Sequence, residues 1–247
     1  MSEAEGAHVE LPLERVDPSK TRLVVVDCQN DFLADGGWFA NHKGHDLDGM
    51  RGAVERADRL IGLARAAGVR PIFIQAIYDR KWLSKPMLER HELVGLDIKH
   101  CEEGTWGADF CIVSPEPGDD VVVKHRYSAF VGTELDTLLR TQGVENLIFV
   151  GVTTNVCVES TARDGYMRDY HIVVVDDCTA SYKEESHQAT LSSARGRFRS
   201  SSQVMSTAES GVTAAVYRPR ATVIGRWDRS FSTSSARRAP SSRAISC

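Results

Sequence analysis

At 247 residues, 42% hydrophobic and 26% charged, the chain has enough apolar content for one well-packed domain and the ordinary balance of a soluble globular protein. No stretch approaches the roughly 18 consecutive apolar residues that cross a bilayer, and the acidic start MSEAEGAHVELPLERVDPSK is unlike a signal or transit peptide, so a cytoplasmic protein without a membrane partner is expected. The net charge of −4 is uneven, with ten Arg and two acids in residues 195–247 and −12 on the first 194 residues; so acidic a body argues against nucleic acid as a ligand.

Residues 1–20 read as a flexible lead-in punctuated by Pro12 and Pro18. Thr21 to Asp27 (TRLVVVD) is a β-branched run of the kind that forms a strand buried on both faces of a parallel sheet. A polar loop from Asp27 to Phe32 follows, then Gly36-Gly37-Trp38. From Asp48 to Gly68 the residues Ala53, Ala57, Leu60, Ile61 and Ala64 recur at helical intervals, and Gly68 stands where a C-capping glycine belongs. Val69 to Ile77 (VRPIFIQAI) predicts a second strand. Residues 78–117 are aromatic and charged, the profile of a lid or pocket wall. Asp120 to Lys124 (DVVVK) predicts a third strand, and a helix from about Thr133 to Gln142 ends at Gly143.

The run Leu147–Val152 then stops at Thr153-Thr154-Asn155, and Val156, Ser160, Arg163 and Met167 follow at helical spacing. This is strand, tight turn and helix, with Cys157 in the first helical turn. His171–Val175 predicts a fifth strand closing on Asp176-Asp177-Cys178, and Glu184 to about Ala194 a further helix. Strand and helix alternate throughout. The expected fold is α/β, a three-layer doubly wound (Rossmann-like) arrangement of a mainly parallel sheet with helices on both faces.

In such sheets the working residues gather at the carboxyl ends of strands, where Asp27, Lys124 and the turn before Cys157 all fall. A carboxylate, an ammonium and a thiol in one crevice form an amide-cleaving set. Lys124 and the helix N-terminus would hold Cys157 as a thiolate; Asp27 would carry the proton to the leaving amine and then activate water. Backbone N–H groups at Thr153 and Cys157 would hold the oxyanion. Each residue alone has a plain structural reading: a cysteine packed beneath the sheet, a turn-forming aspartate, a solvated lysine. Their coincidence at three strand ends favours the chemistry.

The stretches VVVDCQNDF (24–32), VVVKHRYSAF (121–130) and GVTTNVCVESTARDGYMRDY (151–170) resemble those of the isochorismatase-like cysteine hydrolase superfamily, and the likeness runs from about Thr21 to Leu191. The resemblance implies that Asp27, Lys124 and Cys157 are a catalytic triad and that the Val152–Thr153 peptide is cis, with the Thr153 N–H in the oxyanion hole. It also implies a homo-oligomer. KHRYSAF and TTNVCVESTARDG look most similar to the ureidoacrylate amidohydrolase branch, which removes a terminal carbamoyl group from a linear ureido acid. Tyr127 matches a substrate-contacting tyrosine there, whereas that branch has Asn and Trp where this chain has Ala76 and Tyr78. Phe32, Gln75, Tyr78, Trp106 and Arg126 are the further candidates for the pocket.

The Asp-x-His…His cluster of the nicotinamidases has no match after the second strand, where this chain reads Tyr78-Asp79-Arg80-Lys81-Trp82, so neither metal nor other cofactor is expected. The six cysteines show no C-x-x-C pair and read as reduced thiols. Cys28 is expected to point to the face opposite Asp27, and Cys178 to be buried. Beyond Arg195 the composition, 12 Ser and 10 Arg in 53 residues, cannot bury a core. There ARGRFRSSS reads as a helix end with inserted residues, and QVMSTAES (203–210) as a last short strand. The expected organisation is a lead-in (1–20), a hydrolase domain (21–216) and a disordered basic tail (217–247). The expected activity is that of a metal-independent cysteine amidohydrolase acting on a small linear amide or ureide. Its rivals are a catalytically silent binding protein of the same fold and a vinyl-ether hydrolase of the isochorismatase type.

Overall fold

The computed structural model describes residues 17–43, 47–93, 99–195 and 199–201. Among these the strands β1 (Thr21–Val26), β2 (Arg70–Ala76), β3 (Asp120–Lys124), β4 (Asn146–Val152), β5 (His171–Ala180) and β6 (Arg199–Ser201) form one sheet in the order β3-β2-β1-β4-β5-β6, parallel throughout. The helices are α1 (Asn30–Leu33), α2 (Trp38–Lys43), α3 (Asp48–Ala66), α4 (Lys85–Leu93), α5 (Leu135–Thr141), α6 (Glu159–Tyr166) and α7 (Glu184–Arg195).

Alternation along the central strand builds the three layers. Leu23 and Val25 pack with Val54, Ala57, Leu60, Ile61 and Ala64 of α3. Val24 and Val26 point the other way, into a cluster with Leu135 and Leu139 of α5, Ala162 of α6 and Leu191 of α7. Every residue of β1 is buried, which is why residues 23–26 are continuously apolar rather than alternating. Fully burying such side chains stabilises the fold by about 1.5–3 kcal/mol each. α3 ends as its glycine requires, with Gly68 at φ +80° and Val69 N–H bonded to Ala64 O at 2.8 Å.

The chain steps outward from β1 to β2 and β3, then returns to place β4 on the other flank of β1. The carboxyl ends of β1 and β4 therefore border a topological switch point, where open α/β sheets hold their ligands. Gly151 of β4 lies opposite Val26 at φ +107°, and a Cβ there would stand 2.2 Å from Val26 O. No other residue fits this approach.

Four elements differ from the sequence reading. The segment after Asp27 is not all loop, since it forms α1 and α2; at four and six residues they are too short for a periodic signal. β5 continues past Val175 to Ala180 because it carries an irregularity: Phe149 pairs with Val174 but Gly151 with Thr179, so Asp176 and Asp177 fall in a bulge instead of ending the strand. β6 arises inside ARGRFRSSS, where Arg199–Ser201 pair with Val173–Val175; Ser and Arg carry little strand propensity, so pairing with β5 decides it. The strand expected at 203–210 and the tail at 217–247 lie outside the described residues, as does most of the 1–20 lead-in, whose end is a 3₁₀ turn at Pro18–Lys20 capped by Asp17. Among the described residues no helix is long and apolar enough to cross a membrane.

Two glycine substitutions separate these roles. Gly151→Ala is expected to destabilise by about 3 kcal/mol or more in urea unfolding. Gly62→Ala, exposed on α3 with open space around it, is expected to be neutral or stabilising by up to about 1 kcal/mol.

Candidate active site

Asp27 follows β1 at φ +50° and gives its N–H to Ile74 O of β2 at 3.1 Å. Lys124 is the last residue of β3, and both side chains are buried. Cys157 lies in a π-helical turn, Thr154–Val158, between β4 and α6, and is 6% exposed. Thr154 Oγ1 meets His187 Nδ1 of α7 at 2.9 Å, and Ser181 Oγ donates to Asn155 Oδ1 at 2.7 Å, so the turn is anchored on both sides of β5's end. The peptide bond between Val152 and Thr153 is cis.

Lys124 Nζ is the hub. It lies 2.9 Å from Asp27 Oδ2, 3.1 Å from Arg126 O, 3.2 Å from Tyr78 Oη and 3.4 Å from Cys157 Sγ. Burial works against the lysine's charge, yet Asp27 and the thiol and phenol beside it hold the ammonium well above its ordinary range. Burial raises the Asp27 carboxyl, opposed by Lys124 and by a hydrogen bond with Cys157. Burial, followed by the charge of Asp27, pushes the Cys157 thiol up to about 12 against the pull of Lys124. Burial and the Asp27 carboxylate thus work against the thiolate expected from a cysteine at a helix start, and Lys124 works for it. Withdrawal from water and a facing carboxylate outweigh the helix terminus here. The same carboxylate is placed to take the thiol proton.

The other predicted residues divide. Tyr78 joins the hub through its hydroxyl. Phe32 stands at its side, 6.0 Å from the His100 ring, which lies 5.0 Å from that of Tyr78. Gln75 is turned to another use, its amide donating to Ala108 O at 2.9 Å. Arg126 reaches Lys124 with its carbonyl, while its guanidinium donates to Trp82 O at 2.8 Å and His125 O at 2.6 Å. Trp106 is 46% exposed against Gly36, and Tyr127 is 43% exposed on the loop after β3.

Sequence reasoning missed the braces behind the site. Gln29 bonds Ala76 O and Ala108 O at 2.9 Å each and accepts from Ala76 N at 2.8 Å, tying the loop after β1 to the end of β2. Asp31 accepts from Trp38 N at 3.0 Å and Cys101 N at 2.6 Å, and its carboxylate fills the space where Gly107 would carry a Cβ. Both belong to the motif VVVDCQNDF, but apart from Trp38 their partners are 47 to 79 residues away in sequence. His100 was also missed; burial pushes it down to about 3, and its Nδ1 has no hydrogen-bond partner among the described residues. Cys28 packs in the α3-side cluster and Cys157 in the opposite one; Cys178 is buried.

The chain matches the Isochorismatase domain family over residues 21–209. It is 38% identical over 180 residues to the ureidoacrylate amidohydrolase RutB of Agrobacterium fabrum, covering 66% of this chain and 76% of that one. To the protein of the same name from Methylobacterium radiotolerans it is 36% identical over 211 residues, 76% of this chain and 81% of that one. Among solved structures it is similar to an isochorismatase family protein from Desulfovibrio vulgaris (29% identity, TM-score 0.64, 73% of this chain and 93% of that one). A second is N-carbamoylsarcosine amidase from Thermoplasma acidophilum (28% identity, TM-score 0.57, 72% and 93%).

The raised thiol sets a pH dependence. An ordinary cysteine is half-ionised near about pH 8.5, so at about pH 8 Cys157 should alkylate more slowly with iodoacetamide than a free thiol, and its rate should still climb beyond about pH 10. Removing the facing charge with Asp27→Asn lowers the thiol's pKa and should speed alkylation at about pH 8. Peptide mapping of the label reads both, and a plateau near neutral pH in the wild type would show a resting thiolate instead.

Proposed function

The chain belongs to the isochorismatase family, and from that premise we propose that it is a metal-independent cysteine amidohydrolase cleaving a C–N bond of a small linear amide or ureide through a Cys157 acyl-enzyme. It is a hydrolase acting on non-peptide C–N bonds, as its amidohydrolase relatives are. The observation that carries the finer reading is the buried set around Lys124, with Asp27 at 2.9 Å and the Cys157 sulfur at 3.4 Å from one nitrogen. Asp27, Lys124 and Cys157 are its catalytic residues, and residues 21–216 its hydrolase domain.

Asp27 takes the thiol proton as Cys157 Sγ attacks the carbonyl carbon, so charge passes from sulfur to carboxyl without a free thiolate standing beside a carboxylate. The carbonyl oxygen becomes an oxyanion, held by the backbone N–H groups of Thr153 and Cys157. Lys124 stays protonated and balances the negative charge that moves among carboxylate, sulfur and oxyanion. Asp27 then gives its proton to the leaving nitrogen, the C–N bond breaks, and the acyl or carbamoyl group remains on sulfur. Water enters, loses a proton to Asp27 and attacks the same carbon. The C–S bond breaks and the proton returns to sulfur, restoring the resting thiol.

The ureidoacrylate amidohydrolases among the relatives support trying a linear ureide first among substrates. After β2 the chain uses Asp79 to accept from Glu103 N–H at 2.8 Å and to pair with Lys81. Among the described residues no group of three His, Cys, Asp or Glu is arranged to hold a metal ion.

Release of ammonia and amine should be measured from ureidoacrylate, biuret, N-carbamoylsarcosine and nicotinamide. Turnover of at least one is expected, falling by about 10³-fold or more in Cys157→Ala and indifferent to chelator. Turnover that survives in Cys157→Ala, or that chelator abolishes, contradicts the mechanism.

A further inference from the structure

A lysine ammonium has three N–H donors and no acceptor. Lys124 shares them among Asp27 Oδ2, Arg126 O, Tyr78 Oη and Cys157 Sγ, at 2.9, 3.1, 3.2 and 3.4 Å. The phenol oxygen of Tyr78 is therefore an acceptor toward Lys124, and its own proton has to point elsewhere. Among the described residues nothing accepts that proton, although Tyr78 is only 4% exposed. A buried donor without an acceptor is uncommon enough to require an explanation.

The hydroxyl is also fixed in place. Tyr78 N–H donates to Cys101 O at 3.0 Å, the His100 ring packs 5.0 Å from its ring, and Lys124 Nζ lies 5.5 Å from the ring centroid. One lysine nitrogen touches both the phenol oxygen and the Cys157 sulfur, so those two atoms are no further apart than the sum of these contacts. A linear substrate with its carbonyl carbon at Cys157 Sγ would bring the group beyond its scissile nitrogen within reach of the hydroxyl.

Building on the Cys157 amidohydrolase reading, we propose that Tyr78 is a specificity-determining residue whose O–H donates to a second acceptor of the substrate, a carbonyl or carboxylate oxygen a few bonds beyond the scissile C–N bond. The site then prefers ureides and amides carrying such an oxygen over those with an apolar distal group. A site built to donate a hydrogen bond discriminates strongly against a ligand that lacks the acceptor.

The matched pair 3-ureidopropionate and propylurea tests this, since both present the same terminal ureide and differ in the distal carboxylate. Wild-type kcat/KM should favour 3-ureidopropionate by at least about tenfold, and Tyr78→Phe should lower that ratio by roughly 10- to 100-fold. Equal efficiency in the wild type, or an unchanged ratio in Y78F, overturns the proposal. So does a uniform loss on both substrates accompanied by a shifted pH profile of Cys157 alkylation, which would mark Tyr78 as acting only through Lys124. A second arm needs no turnover: calorimetric binding of 3-ureidopropionate to Cys157→Ala should weaken by about tenfold or more in Cys157→Ala/Tyr78→Phe. Equal affinity, or no binding to either variant, overturns it. Failure of the amidohydrolase reading would show differently, as a silent wild type whose binding still depends on Tyr78.

Discussion

Two opposite charges out of water, Asp27 and Lys124, are the constraint on which the rest of the structure depends. Removing each from water costs several kcal/mol, and their attraction offsets that only with close geometry and additional hydrogen bonds. Here the pair is 2.9 Å apart, and the lysine's other donors go to a carbonyl and a phenol. Such a pair is a poor way to stabilise a fold, since apolar residues of similar size would serve as well. It makes sense as a poised base and a counter-charge. Its carboxylate faces a thiol whose ionisation that same carboxylate opposes, and the proposed mechanism uses the two in one concerted step.

The sheet supplies this pair by topology. Asp27 leaves β1, Lys124 ends β3 and Cys157 follows β4, with β2 running between the first two. Gly151 lets β4 approach the end of β1 where no Cβ would fit. Gln29 then knits the loop after β1 to β2 and to the 106–108 segment, so small shifts in that loop are resisted before they reach Asp27. The pocket side is built by contacts across long sequence separations, from Asp31 to Cys101 and from Tyr78 to His100.

Much of this was legible in the chain. Apolar β-branched runs marked five strands, most plainly β1, whose burial on both faces leaves no polar side to hide its signal. The convergence of Asp27, Lys124 and Cys157 was readable because strand ends in a doubly wound sheet are where side chains converge. What could not be read has physical causes. α1 and α2 are shorter than any periodicity, β5 hides its continuation in a bulge of two aspartates, and β6 is a strand only because β5 offers it an edge. The resting state of Cys157 depends on burial and on a carboxylate 130 positions away in sequence, neither of which a local motif encodes. Gln75 and Arg126 are pocket candidates by position, and the long-range bonds of their side chains to the backbone carbonyls of Ala108 and Trp82 are in no local motif.

The most direct test of this account is rapid-quench intact-mass analysis of the wild type during its first turnover of a ureide. The account predicts one acyl or carbamoyl adduct per chain, mapping to Cys157 and decaying as the second product appears. Product formation with no adduct on Cys157, or with the adduct on another residue, would contradict it.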